Sequence, residues 1–521
     1  MSSESVSDHF GSLTPMTKQV LGPEMVPTGV VGLDYVLLGG IVRGGFYLIQ
    51  GDPGAGKTTI ALQYVIGCVA RGERCLYVSL TETEVDLRNA CKAHGWDLEG
   101  IDLCDLTIAT ANHVAEPDGS IFHPADTELS EITRAVIDDV ERVKPQHVVF
   151  DGLSELRLMS GDALRYRRQL LSLKQFFADR GVTVLLLDDR TAQFQNVQPE
   201  TLVGGSIVLD RMLPEYGRAR RRLYVTKVRG WHFREGYHDY EVENGGVVVH
   251  PRLVAADHHA CFDGELHPSG ISNLDKMLHG GLSKGTTTLL LGPSGAGKST
   301  VAIQFVVNAL KKGQKAAVYS FDEIVGTLIG RSEKLCLGEP GGMASFTEKG
   351  LLHVQQVDAA ELSPGAFAHE VRRAVDAGAG VIVIDSLNGY MNAMPEERYL
   401  ATHLHELFTY LNQKGVITII VATQHGMLAT AGPSGGVLDI SYLADSVLLL
   451  RYFESKGEIL QAISVFKKRT GPHERTIRQL KISTSGIEVG NPLSAFRGVM
   501  TGVPQYEGQL NLGGGPKSEL L

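Results

Sequence analysis

Two short runs carry residue types suited to holding phosphate, "GDPGAGKTT" from Gly51 and "GPSGAGKST" from Gly292. In the pattern Gly-x-x-x-x-Gly-Lys-[Ser/Thr], glycines let the backbone turn its N–H groups toward an anion. The lysine then reaches the β- and γ-phosphates, and the hydroxyl ligates Mg²⁺. Gly51, Gly54, Gly56, Lys57, Thr58 and Thr59 are candidate nucleotide ligands in the first run, and Gly292, Gly295, Gly297, Lys298, Ser299 and Thr300 in the second. ATP with Mg²⁺ is the ligand expected at both.

Such a site calls for an acid at the end of a neighbouring buried strand. Asp151 closes "HVVFD" and Asp385 closes "VIVID"; with Thr58 and Ser299 they are read as metal ligands, a helix cap being the alternative. Water or a hydroxyl must also be activated. "SLTETE" and "SFDEIV" set Thr81-Glu82 opposite Asp322-Glu323, so Glu82 and Glu323 are read as bases, with Asp322 beside the second. Acids opening a helix on the surface would give the same pattern. Near the end of each half, "VTKVRGWH" and "VFKKRTGPH" share Lys-x-Arg. Lys227 with Arg229, and Lys467 with Arg469, could act on the nucleotide of an adjacent subunit, or could form a solvated strand face.

The elements that must position these residues are repeated. "GLDYVLLGGIVRGGFYLIQGDPGAGKTT" aligns without a gap on "NLDKMLHGGLSKGTTTLLLGPSGAGKST", with Lys57 and Lys298 241 positions apart. Register kept over so long a stretch indicates tandem duplication. Each loop follows a short apolar run and precedes a helical pattern: Leu62, Val65 and Val69 in the first half, Ile303, Val306 and Leu310 in the second. Apolar runs then alternate with helical stretches, which predicts an α/β fold: two tandem RecA-like P-loop NTPase domains with largely parallel sheets. The predicted organisation is a flexible segment over 1–20, a first domain over 21–250, a linker over 251–266, a second domain over 267–495, and a C-terminal loop and tail over 496–521.

A chain of 521 residues with 43% hydrophobic and 21% charged residues has room for two soluble domains. No apolar run approaches the roughly 20 residues of a membrane span, and "MSSESVSDHF" lacks the pattern of a secretory signal, so a cytoplasmic protein is expected. The six cysteines show no close pairs that mark zinc or redox sites; they are read as reduced thiols. A net charge of −10 disfavours nonspecific nucleic-acid binding.

With these loops, strand-end acids and late Lys-x-Arg pairs, the sequence from about residue 20 to 505 resembles the KaiC family, the ATPase and autokinase of the cyanobacterial circadian clock. The stretch "DISYLADSVLLLRYFESKGEILQAISVFKKRTGPHERTIRQLKIS" is similar to that family's kinase domain. The resemblance implies a homo-hexameric double ring with ATP between subunits. The first tier would be a slow ATPase, and the second would phosphorylate a pair of adjacent hydroxyl residues across the interface. That pair falls on Ser441 and Tyr442, where the family carries Ser-Thr. Ser441 is therefore read as the acceptor, and Tyr442 as packing or hydrogen bonding, because a phenolic oxygen stands too far from its backbone for a site shaped to Thr. The family usually has two glutamates where Thr81-Glu82 stands, which leaves Glu82 as base. The resemblance also implies a KaiB-like partner on the first domain and raises the question of a KaiA-like activator at "SAFRGVMTGVPQYEGQL". Two rival readings remain: a DNA-dependent RecA-like ATPase, to which the basic run "GRARRR" from Gly217 would belong, and a two-tier ATPase scaffold without kinase activity.

Overall fold

A computed structural model describes residues 23–107, 124–160, 162–190, 199–258, 264–336, 341–358, 360–392, 399–423, 440–455, 457–483, 485–499 and 505–506. The N-terminal segment 1–20, Cys261 and the tail beyond residue 506 lie outside them. Contacts divide the chain into two compact units. The first is Met1–Arg211, Arg222–Tyr237 and Glu241–Val249; the second is Met212–Arg221, His238–Tyr240 and His250–Leu521.

Short runs of Val, Ile and Leu without polar alternation can be buried on both faces only in a parallel sheet covered by helices. The first nine-stranded sheet runs, from one edge, Ile101–Asp105, Cys75–Ser79, His147–Asp151, Thr183–Asp189, Phe46–Gly51 and Gly205–Met212, all parallel. Arg220–Val228, His238–Glu243 and Gly246–His250 complete it. The second sheet repeats this order with Leu352–Gln356, Lys315–Ser320, Ala379–Asp385, Ile417–Thr423, Thr287–Gly292 and Ser446–Ser455, again parallel. It ends in the antiparallel strands Glu458–Lys468, Ile477–Ser483 and Gly486–Pro492. The duplication read from the sequence thus extends to the strand order of both nine-stranded sheets.

Strand periodicity divides the core of the second unit into two layers. Val381 and Val383 pack with Val301, Phe305 and Leu328 on one face, while Ile382 and Ile384 pack with Phe367, Leu404 and Phe408 on the other. Each such fully buried side chain contributes about 1.5–3 kcal/mol of transfer free energy. The helices Lys57–Ala70 and Lys298–Lys311 follow the phosphate-loop candidates directly; of the expected helical positions, Leu62, Val65, Ile303, Val306 and Leu310 are buried and Val69 is half-buried. The basic run begins the strand Arg220–Val228, in which Arg220 is buried. Near the C-terminus, Phe496–Arg497 pairs antiparallel with Gln505–Tyr506. No described helix is long and apolar enough to cross a membrane.

Candidate functional site

Each loop turns sharply between the C-terminal end of a central strand and a helix. Gly54 and Gly56 have φ of +75° and +96°, and Gly295 and Gly297 of +76° and +94°, backbone that L side chains rarely adopt. Gly56 and Gly297 cap their helices with no side-chain hydrogen bond. The first N–H groups of these 14-residue helices are therefore left to an anion, which the helix dipole also favours.

In the first unit, Lys57 Nζ donates to the carbonyls of Gly51 at 2.9 Å and Asp52 at 3.2 Å, and pairs with Asp189 Oδ1 at 2.5 Å. Thr58 Oγ1 donates to Asp151 Oδ2 at 3.1 Å, and the buried Tyr77 hydroxyl donates to the same oxygen at 2.7 Å. Burial raises the Asp151 carboxyl above its ordinary range, and the Tyr77 and Thr58 hydrogen bonds pull it partly back. Glu82 stands after a tight turn closed by Ser79, whose Oγ accepts from Glu82 N at 3.1 Å and donates to Glu82 O at 2.6 Å. Burial, then the negative charges of Asp151 and Asp86, push the Glu82 carboxyl upward. A carboxylate raised in this way and set beside a metal-type pair is suited to accepting a proton.

The second unit repeats the frame with other partners. Lys298 is buried, its Nζ donates to Pro293 O at 2.7 Å, and burial lowers its pKa while Asp385 opposes that shift. The strand partner of Gly292 is Thr423, where Gly51 has Asp189. Asp385 is raised by burial and drawn back by its Ser299 hydrogen bond and by Arg331. Ser320 closes the same turn at Glu323 through bonds of 2.7 and 3.1 Å. The Glu323 carboxylate, however, is forked by Arg331, with Nε 2.9 Å from both oxygens and Nη2 2.9 Å from Oε2. Asp322 accepts a hydrogen bond from Ser386. Their counterparts are Thr81, which has no carboxylate, and Gly152, which has no side-chain hydroxyl to pair in this way; a Cβ on Gly152 would lie 3.3 Å from Thr81 Cγ2 and 3.4 Å from Ser154 Oγ.

The structure gathers the phosphate loops, Thr58, Asp151, Glu82, Ser299, Asp385, Asp322 and Glu323 at the C-terminal ends of their parallel strands. The Lys-x-Arg pairs and Ser441 lie elsewhere. Lys227 Nζ donates to Glu200 O and Arg229 Nη2 to Thr201 O at 3.0 Å. Correspondingly, Lys467 Nζ donates to Ser441 O at 2.9 Å and Ala444 O at 2.7 Å, and Arg469 Nη2 to Tyr442 O at 3.3 Å. Both pairs thereby pin a 3₁₀ turn, Pro199–Thr201 or Ile440–Tyr442, just before a strand beside the phosphate-loop strand. Ser446 is level with Thr288 and with Lys468, so this turn sits at the N-terminal end of the sheet. The strand from Thr288 to Gly292, roughly 13 Å long, separates that level from the start of the cradle. Ser441 is half-buried and the Tyr442 side chain is 52% exposed.

Two participants were not singled out from the sequence. Asp189 had a visible signal, the second acid of "VTVLLLDD". Arg331 becomes conspicuous only when the halves are overlaid, because the first half has Ala90 at that place.

The family model described as "ATPase: KaiC" matches the chain twice, over residues 26–254 and 267–494. Among similar proteins, the circadian clock protein KaiC3 of Synechocystis sp. is 23% identical over 508 residues, covering 94% of this chain and 96% of that protein. The circadian clock oscillator proteins KaiC of Acaryochloris marina and Thermosynechococcus vestitus are each 25% identical, covering 92% of this chain and 90% and 91% of their own lengths. Two loops, two identical strand orders and a double match to one family model lead to the same conclusion: the chain belongs to the KaiC family of ATPases.

Proposed function

We propose that both domains, taken as 21–250 and 267–495, hydrolyse ATP in a cytoplasmic homo-hexamer, and that the second also transfers phosphate to Ser441 of an adjacent subunit. The donor sets fit the ligands. Thr58 with Asp151, and Ser299 with Asp385, supply the hydroxyl and carboxylate oxygens that Mg²⁺ prefers, and the glycine loops present backbone N–H groups to phosphate. Mg²⁺, when bound, offsets charge gathering on the phosphate oxygens. Lys57 and Lys298 hold the phosphate chain, Lys57 by exchanging Asp189 for it. Glu82 takes the proton of an attacking water in the first domain. Glu323, released from Arg331, takes that of the Ser441 hydroxyl in the second, with Asp322 held beside it by Ser386.

The observation that carries transfer between subunits is the separation of Ser441 from its own cradle by the length of a strand. Phosphoryl transfer needs contact at about 3 Å, so a turn at the N-terminal end of the sheet is served by another subunit's nucleotide. Lys467 with Arg469, and Lys227 with Arg229, share that end and would face the same foreign phosphates. The relatives' printed role in a circadian clock supports a timing or signalling role here, with a KaiB-like partner on the first domain and an activator at the C-terminal loop as further proposals.

Mixed hexamers test the reading. A Ser441→Ala chain with an intact cradle is combined with a Lys298→Ala chain that keeps Ser441, and phosphosites are read by mass spectrometry. Phosphate on Ser441 of the Lys298→Ala chain is the expected result. No phosphate on Ser441 in the mixture, under conditions where wild-type hexamers are phosphorylated there, would refute transfer in trans, and steady ADP release from wild-type hexamers with no phosphoserine would leave a two-tier ATPase.

A further inference from the structure

The overlay of the two halves exposes a difference far from either cradle. At the N-terminal end of the second sheet, Phe305, Ala309, Ala316 and Val381 belong to one wholly apolar cluster. The first unit places Tyr64, Cys68, Cys75 and His147 at these positions, each no more than 1% exposed, and Glu73 where the second has Gln314. Strand register supports the equivalence, since Cys75 opposes His147 as Ala316 opposes Val381. The fold is satisfied by hydrocarbon here, so the polar set has another cause.

The donor atoms converge. Ligand atoms of Cys68, Glu73 and His147 lie within 4.8 Å of one another, and Cys75 is the register partner of His147, its thiol donating to Val65 O and Glu73 O at 3.7 Å. Tetrahedral zinc, bound at about 2.3 Å by sulfur and 2.0 Å by nitrogen or oxygen, holds its ligand atoms roughly 3.3–3.8 Å apart, a spacing this cluster reaches with small side-chain shifts. His147 Nε2 is fully buried and makes no hydrogen bond of acceptable geometry, although Glu73 Oε2 is only 3.2 Å away. Its other nitrogen, Nδ1, lies 2.7 Å from the Tyr64 hydroxyl. If Tyr64 donates to Nδ1, Nε2–H faces the Glu73 carboxylate as a His–Glu pair; if Nδ1–H donates to Tyr64, the Nε2 lone pair faces that carboxylate and both can be satisfied by a cation held between them.

We propose that Cys68, Glu73, Cys75 and His147 form a closed structural zinc site at the end of the first domain's sheet remote from the nucleotide. Thiolate, imidazole and carboxylate together select zinc over the oxygen-seeking Mg²⁺ and Ca²⁺. The thiol protons leave to solvent on binding, with no change of oxidation state. The surroundings supply outer hydrogen bonds. Tyr64 fixes the imidazole, Arg71 donates to Cys68 Sγ at 3.0 Å and to Glu73 at 3.1 Å, and Arg43 donates to Glu73 at 2.6 Å. These two cations offset the negative charge that two thiolates and a carboxylate leave around a divalent ion. Helix Lys57–Ala70 puts Cys68 about 16 Å from Lys57, so the ion would brace the sheet and take no part in phosphoryl transfer.

The test is metal content of the full-length protein, by plasma mass spectrometry, with cobalt as a spectroscopic probe. One equivalent of zinc per chain, and a thiolate-to-cobalt charge-transfer band after exchange, are expected in the wild type. Both should vanish in a Cys68→Ala, Cys75→Ala, His147→Val variant, which copies the apolar set of the second half and should retain its ATPase activity. If that triple variant fails to fold, Cys68→Ala alone replaces it, with at least tenfold weaker cobalt binding expected. A folded wild type that takes up neither metal, a Cys68–Cys75 disulfide that re-forms and blocks cobalt, or zinc retained by the variant would each overturn the proposal.

Discussion

The nine-stranded sheets of the two halves share one strand order, yet differ in what surrounds their equivalent functional groups. In the first, Lys57 is neutralised by Asp189 while Glu82 is half-buried and close to other acids. In the second, Lys298 is buried with a carbonyl partner, Thr423 standing where Asp189 would, and Glu323 is the neutralised group through Arg331. The countercharge has moved from the phosphate side of the site to the base side. A fold fixed by apolar strands therefore leaves chemistry to residues at strand ends and on the next helix, which can change without disturbing the core. In the proposed mechanism, one half would restrain its phosphate-binding lysine until nucleotide arrives, and the other would restrain its base.

The largest effect expected from this difference is at Glu82. In a Lys298→Ala background, Glu82→Gln should lower first-domain ATP hydrolysis by about 10²-fold or more, the usual contribution of a positioned base. A steady-state ADP-release assay reads this directly. A rate reduced less than threefold would mean that a different group activates water and that Glu82 only opens the helix Glu84–Ala93.

The next effect concerns the restraint on Glu323. Arg331→Ala, in a Lys57→Ala background, should raise second-domain phosphoryl transfer a few-fold, since a half-buried ion pair that solvent still reaches is worth on the order of 1 kcal/mol. Ala90→Arg is the reciprocal change and should slow the first domain by a similar factor. A slower Arg331→Ala protein would reverse the comparison, making Arg331 a positioning residue that holds the carboxylate in its working place.

Why some of this was legible in the sequence and some not follows from distance along the chain. The phosphate loops and the helices after them are local patterns, repeated without a gap, and the strand-end acids inherit their meaning from that repeat. The interdigitated layers around Val381 to Ile384 follow from strand alternation alone. Asp189 and Lys57 meet only because parallel pairing puts Asp189 beside Gly51. Arg331 faces Glu323 because the helix Val325–Ser332 folds back over the turn that Ser320 closes. The cysteines gave no zinc-like spacing, because Cys68 ends a helix, Cys75 begins the next strand, and His147 arrives from a third element. Tertiary neighbours of this kind have no signature in single-chain spacing.

A smaller effect is expected at Asp189. Replacing it with Asn leaves a hydrogen-bonding group but removes the charge that competes with phosphate for Lys57. Nucleotide affinity at the first cradle, measured by titration calorimetry in the Lys298→Ala background, should increase a few-fold and become less dependent on salt. Thr423→Asp should weaken binding at the second cradle. If neither changes, the Lys57–Asp189 pair is not in competition with nucleotide, and the first half of the comparison fails.

The finest test uses pH. Glu82 must be ionised to act as a base, and its pKa is raised by burial first, then by Asp151 and Asp86. The protonated, inactive form therefore persists to higher pH, and the acid limb of first-domain hydrolysis should fall above the ordinary carboxylate range. Asp86→Asn removes the weakest of the three causes while keeping a side chain that can still cap the helix at Thr83. The acid limb should then move to lower pH, with the plateau rate unchanged. A limb that stays in place while the plateau falls would show that Asp86 acts through the helix start alone, and that the charge around Glu82 is set by Asp151.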